Sequence, residues 1–239
     1  MLPRIPMVKT ILITGANRGI GLGLAQHAAL RGYKVIGTAR DPGSADELNA
    51  SSGPEGAVRV EQLDSASSES VEALAQKLVD VPIDIVINNA GIFPHECDSL
   101  VDFDDTAFIR CMQTNTLGPI YVTRALLPNL KKSDQKTVVQ ISSNLGSIHD
   151  ASKGEMGFLG YRTSKASLNM VTATIAHELR PMGITCVALH PGWVKTDLGG
   201  PHAPLSTDES VSSILDTIET LEIGDSGRFM DNQGKPLPW

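Results

Sequence analysis

Cysteine is scarce in this chain, and its three copies, Cys97, Cys111 and Cys186, lie far apart with no C-x-x-C spacing. That excludes a disulfide-built scaffold and a cysteine-rich metal site. An odd number of thiols with no signal sequence ahead of them sets the expectation of reduced cysteines in a cytoplasmic compartment. The six histidines form no H-E-x-x-H pattern, and His177 in "HELR" lacks the second histidine, so no metal is expected. The acidic stretch "VDFDDTAF" (101–108) lacks the glycine and closing glutamate of a calcium loop and reads as acidic residues opening a helix. Positive charge is in deficit: 20 Lys and Arg face 27 Asp and Glu, the net charge is −7, and the bases are scattered. The basic patch that nucleic acid or an anionic membrane requires is therefore missing. Long apolar runs are missing too. The N-terminal "MLPRIPMVKTILITG" holds one brief run ending in a glycine turn, too short for a secretory core or a membrane span.

What is present is apolar material for a real core, 41% of residues, in a 239-residue chain with no linker-like stretch. Short β-branched runs at 9–14, 34–39, 57–63, 83–88, 136–142, 183–190 and 227–230 alternate with helical patterns at 19–31, 67–80, 104–130, 161–180 and 207–221. Most runs are apolar almost throughout, as strands buried on both faces of a parallel sheet must be. The repeated β-α-β order predicts an α/β fold: a doubly wound, mostly parallel seven-stranded sheet with helices on both faces, a single domain over 1–239. Ser67 and Thr207 are the expected caps of two of the helices. Ligands of such sheets bind past the carboxyl ends of the strands. Six strands are followed there by chemistry-bearing stretches: "TGANRGIG", "ARDP", "LDS", "NNAG", "SSN" and "HPGWVKTD".

"TGANRGIG" (14–21) places Gly15, Gly19 and Gly21 between a strand and a helix, with Asn17, Arg18 and Ile20 among them. Such a turn lets backbone amides at a helix N-terminus reach a pyrophosphate, which points to a dinucleotide. The second strand ends in "TARDP". Arg40 and Arg18 offer two guanidinium groups for a 2′-phosphate, whereas Asp41, if turned to the ribose, would accept its hydroxyls. Two arginines favour NADP(H) over NAD(H). Asp64, after the third strand, either touches the adenine edge or caps the following helix.

Tyr161 and Lys165, in "YRTSK", share one helical face. A free phenol has a pKa of about 10 and is a poor base at neutral pH. An ammonium about 4 Å away at an effective dielectric of about 20 contributes on the order of 4 kcal/mol, about three pKa units, toward phenolate. Tyr161 is thereby expected to act as a general acid/base. A carbonyl under reduction gathers negative charge, so a second donor is needed, and "QISSN" supplies Ser142 or Ser143. Asn115, in "MQTNTLGP", either holds a water that passes protons to Lys165 or is a satisfied core amide.

Taken in order along nearly the whole chain, "TGANRGIG", "NNAG", Asn115, the strand-end serine, Y-x-x-x-K and "HPGWVKTD" resemble the short-chain dehydrogenase/reductases. The resemblance implies a Rossmann fold and a catalytic tetrad of Asn115, Ser143, Tyr161 and Lys165, with Lys165 also on the nicotinamide ribose. It implies that Asn89, Ala90 and Gly91 let the backbone pass close to the cofactor. Pro191, Gly192, Val194 and Thr196 would close over the nicotinamide, the last two touching its carboxamide. "TARDP", the stretch from "PGWVKTD" onward and the ending "GRFMDNQGKPLPW" look most like NADPH-dependent carbonyl reductases of the Sniffer and C-factor type. A carbonyl or alcohol of small size would be the substrate, and the C-factor likeness admits a signalling protein that binds NADP(H) with little turnover. Pairing through the Tyr161 helix, common in the family, implies a homodimer. The stretch 146–160 is longer than the family pattern, and the segment after Thr196 is short. Both bear on the substrate mouth.

Overall fold

The structure, a computed structural model, describes residues 8–51, 57–154 and 157–239. The expected N-terminal stretch through Met7 and residues 155 and 156 of the long 146–160 segment lie outside the described residues. The strands are β1 (Thr10–Ile13), β2 (Lys34–Ala39), β3 (Val58–Gln62), β4 (Ile85–Asn88), β5 (Thr137–Ile141), β6 (Thr185–His190) and β7 (Phe229–Asp231). The helices are α1 (Gly19–Leu30), α2 (Asp46–Ala50), α3 (Ser68–Lys77), α4 (Asp105–Met112), α5 (Gly118–Ala125), α6 (Leu127–Lys131), α7 (Ile148–Ala151), α8 (Leu159–Leu179) and α9 (Thr207–Thr220). All seven strands join one sheet in the order β3-β2-β1-β4-β5-β6-β7, every pair parallel. The order reverses between β1 and β4, which opens a crevice at their carboxyl ends.

Period-two alternation explains why the strands are apolar throughout. Ile11, Ile13, Ile85 and Ile87 face a layer built with α1 and α9, while Leu12 and Val86 face a layer built with α3, α5 and α8. The expected cap of α3 is in place, Ser67 accepting from the Ser70 amide at 3.2 Å. At α9 the cap is one residue earlier than expected: Ser206, not Thr207, forms a capping box with Glu209.

The helix expected over 104–130 is broken. A π turn, Gln113–Leu117, separates α4 from α5, and Leu126 separates α5 from α6. Pro119 has no N–H to give the Asn115 carbonyl four residues back, and Pro128 none for Arg124. The apolar period runs through both breaks. The π turn carries Asn115, where such bulges often mark functional positions.

Candidate active site

The glycine turn has the expected backbone. Gly15 and Gly19 stand at φ +64° and +54°, in the left-handed region that only glycine enters freely. A Cβ on Gly21 would overlap the Gly15 carbonyl oxygen. Neighbouring strands brace the turn. The Asn89 side-chain amide donates to the carbonyls of Thr14 (2.9 Å) and Gly15 (3.1 Å). The Thr14 hydroxyl accepts from the amides of Asn89 and Ala90, each at 3.0 Å. From the far side, the Thr196 methyl lies 3.4 Å from where a Gly19 Cβ would stand, and Arg18 pairs with Asp197 at 3.3 Å. Pro191 is fixed by Ser210 at 2.7 Å, and Val194 bridges to Leu205. Gly192 turns at φ +88°. The loops after β1, β4 and β6 thus meet over one crevice.

These residues fit a dinucleotide. The N-terminus of α1 has no side-chain cap and no acidic residue in its first turn, so its amides are open to an anion. Asn17 is exposed and Ile20 half-buried at this end. At the end of β2 Arg40 is exposed, and the Asp41 carboxylate is turned into its own backbone, accepting from Gly43 N at 3.0 Å. Asp64 does not cap α3. It closes a turn by accepting from Ala66 N at 3.0 Å and stays exposed.

Asn115 and Lys165 come together at Gly91, their Oδ1 and Nζ lying 3.3 and 3.7 Å from where a Cβ on it would stand. Ser142 points away, donating to Asn169 of α8 at 2.6 Å, whereas Ser143, which accepts from Leu145 N at 3.1 Å and donates to Asn144 Oδ1 at 3.4 Å, is the serine that favours the Tyr161 phenolate against burial. The Lys165 ammonium donates to the Ile141 carbonyl at 2.8 Å and lies 5.6 Å from the Tyr161 ring centre. Asn115 is wholly buried. Its Oδ1 accepts from Ile92 N at 2.8 Å, and its Nδ2 donates to Ile92 O and to Ser164 Oγ, each at 2.9 Å. Its side-chain amide therefore clamps the loop after "NNAG" to α8. Ser164 Oγ donates in turn to the Tyr161 carbonyl at 2.7 Å.

The expected pull of Lys165 on the phenol is outweighed by burial. Burial pushes Tyr161 up to about 12, opposed by the hydrogen bond with Ser143. Burial also pushes Lys165 down to about 8. Burial outweighs the lysine's pull, so the phenol keeps its proton at neutral pH, while Lys165, shifted to about 8, is still mostly ammonium there. A protonated Tyr161 is the form that gives a proton to a carbonyl.

The lysine shift has a stability consequence. Between pH 8 and 10.5 the folded chain binds fewer protons at Lys165 than the unfolded chain, so stability rises with pH across that window. Below it, the buried ammonium opposes folding by on the order of 3 kcal/mol. Lys165→Met should raise the Tm at pH 7, less about 1 kcal/mol for the unpaired Ile141 carbonyl, with the gain fading between pH 8 and 10.5. Thermal unfolding at several pH values checks it, and an unchanged Tm at pH 7 would refute it.

Against known proteins, a family model described as short chain dehydrogenase matches residues 9–204. The chain belongs to the short-chain dehydrogenase family. It is 41% identical over 169 residues to "C-signal" of Myxococcus xanthus, covering 71% of this chain and all of that one. The solved structure of NADPH-bound carbonyl reductase from chicken fatty liver superposes with a TM-score of 0.90 at 36% identity, covering 97% of this chain and 99% of that one. Carbonyl reductase Sniffer of D. melanogaster superposes with a TM-score of 0.89 at 34% identity, over 98% of this chain and all of that one.

This short-chain dehydrogenase also carries site residues that motif spacing did not single out. Phe93, two residues past "NNAG", stacks against Tyr161 (4.5 Å between ring centres) and edge-on against Phe158 (5.1 Å). Phe158 caps α8 at φ +60°, a costly conformation for a bulky residue. A Phe directly beyond a glycine-ended strand is the one signal the sequence offered.

Proposed function

We propose that this chain is an NADPH-dependent oxidoreductase that reduces the carbonyl of an aldehyde or ketone to an alcohol, reversibly. The observation that carries the reading is the buried Tyr161 side chain, one turn of α8 from the buried Lys165, whose Nζ lies 5.6 Å from the phenol ring centre and donates to the Ile141 carbonyl at the end of β5. Bound NADPH supplies the hydride. Tyr161 donates its proton to the carbonyl oxygen, and Ser143 hydrogen-bonds that oxygen as it gains charge. Lys165, donating to Ile141, holds the nicotinamide ribose, and Asn115 fixes the floor of the site through Ile92. Phe93 and Phe158 keep water from the phenol. Arg18 and Arg40 receive the 2′-phosphate, Arg18 leaving Asp197 to do so.

The chicken and Drosophila carbonyl reductases support this reading, and two copies pairing through exposed apolar positions such as Ile109, Leu117 and Met170 are part of it. NADPH oxidation with a panel of aldehydes and ketones tests it, with NADH in parallel. Turnover with NADPH is expected, and Arg40→Ser should cut the preference for NADPH over NADH by about tenfold. No turnover with any carbonyl compound, alongside tight NADPH binding, would instead support the second reading that the likeness to C-signal raises, a cofactor-binding signalling protein.

A further inference from the structure

The last residues of the sequence double back along the sheet edge. Leu237 N donates to Phe229 O at 2.9 Å, Asp231 N to Lys235 O at 2.9 Å, and Met230 bridges Pro236 in antiparallel sense. That hairpin delivers Trp239 to the stretch that follows Ser143. The Trp239 ring stacks on Phe229 of β7 (5.4 Å between centres, 23° between planes). Its main-chain oxygen accepts two hydrogen bonds, from His149 N at 3.1 Å and from Ser147 Oγ at 3.2 Å. Ser147 is almost wholly buried, and its hydroxyl also accepts from Asp150 N at 3.1 Å.

From Ser147 back to Ser143 the chain is a single tight turn. Ser147 N donates to Asn144 O, and Gly146 N to Ser143 O, both at 2.9 Å. Ser143 Oγ accepts from Leu145 N at 3.1 Å, so that amide helps set the serine's rotamer. On its other side the turn rests directly on α8: a Cβ on Gly146 would meet the Lys165 backbone at 2.7 Å. The turn is thus held between α8 and Trp239.

We propose that Trp239 is a positioning residue for Ser143. Its indole, anchored on Phe229, fixes the main-chain oxygen that tethers Ser147 and His149, and the tether holds the 144–147 turn so that the Ser143 hydroxyl faces Tyr161 and the substrate's carbonyl oxygen. A segment 92 residues further along the chain than Ser147 thereby completes the donor pair. The inference rests on the carbonyl-reductase reading for its kinetic consequence, but the tether itself is independent of it.

Two measurements test it. Amide exchange of 144–149 in NADPH-bound protein should speed up in Trp239→Ala and stay near wild type in Trp239→Phe, which keeps the stack. In turnover with a carbonyl compound, Trp239→Ala should lower kcat about tenfold with the NADPH Kd unchanged, and Trp239→Phe should restore most of it. The decisive arm is a double-mutant cycle. In a Ser143→Ala background Trp239→Ala should cause no further loss, because there is no hydroxyl left to misplace. Losses that multiply, or unchanged exchange in Trp239→Ala, would overturn the proposal. Wild type inactive on every carbonyl compound, with exchange still accelerated in Trp239→Ala, would remove the reductase reading and leave the tether standing.

Discussion

Tyr161→Phe should abolish carbonyl reduction while leaving the fold and the cofactor site intact. The substitution removes one buried oxygen and keeps the ring that packs on Phe93 at 4.5 Å. Ser143 retains its bonds with Asn144 Oδ1 and Leu145 N, so the loop after β5 stays where it is. What disappears is the phenol proton, which burial holds on Tyr161 up to about 12, whereas the Lys165 ammonium is anchored on the Ile141 carbonyl. Loss of a general acid at such a position lowers turnover by about 10³-fold. The assay is NADPH oxidation with the best carbonyl compound, alongside the NADPH Kd by fluorescence. Turnover within tenfold of wild type at unchanged Kd would remove Tyr161 from the role assigned to it.

Gly21→Ala should damage cofactor binding more than any other one-carbon change. Its backbone needs no glycine-only φ. The constraint is contact, since the added methyl overlaps the Gly15 carbonyl oxygen and meets Asn89 Nδ2 at 2.5 Å. Neither neighbour can yield cheaply, because Asn89 Nδ2 is bonded to that same carbonyl and to Thr14 O. The turn must open, carrying the first amides of α1 away from the pyrophosphate position. An NADPH Kd weaker by about 10²-fold is expected, with a stability loss of about 2–4 kcal/mol. Gly32→Ala provides the comparison. Its φ of +85° makes alanine strained, but nothing lies within 4 Å of the new carbon. It should lower the Tm slightly and leave the Kd alone. Equal effects on Kd in the two variants would show that the glycine turn is not where the cofactor binds.

Much of this was legible before any coordinates because strand ends in a parallel sheet are where local chemistry is least free. "TGANRGIG" and "NNAG" lie together because each glycine and amide answers a backbone need of its neighbour, Asn89 bonding the very turn that Gly15 makes. Which serine faces the site was not readable. Ser142 and Ser143 are chemically equal in the sequence, and only the packing of α8, with Asn169 set 2.6 Å from Ser142, decides between them. Asn115 turned out to serve as a clamp, and the π turn around it was hidden because the apolar period continues through Pro119. The direction of the Tyr161 shift was misjudged because helical spacing gives separation and says nothing of burial. With both groups buried, desolvation dominates. Trp239 and Ser164 escaped notice for a simpler reason: their partners are remote in sequence.

One measurement bears on the central claim more directly than the rest: the crystal structure of this chain with NADP(H) and a trapped carbonyl compound. A carbonyl oxygen within about 3 Å of both Tyr161 Oη and Ser143 Oγ is the predicted result. A well-ordered compound whose oxygen bonds elsewhere, with the Tyr161 hydroxyl turned from it, would contradict the account.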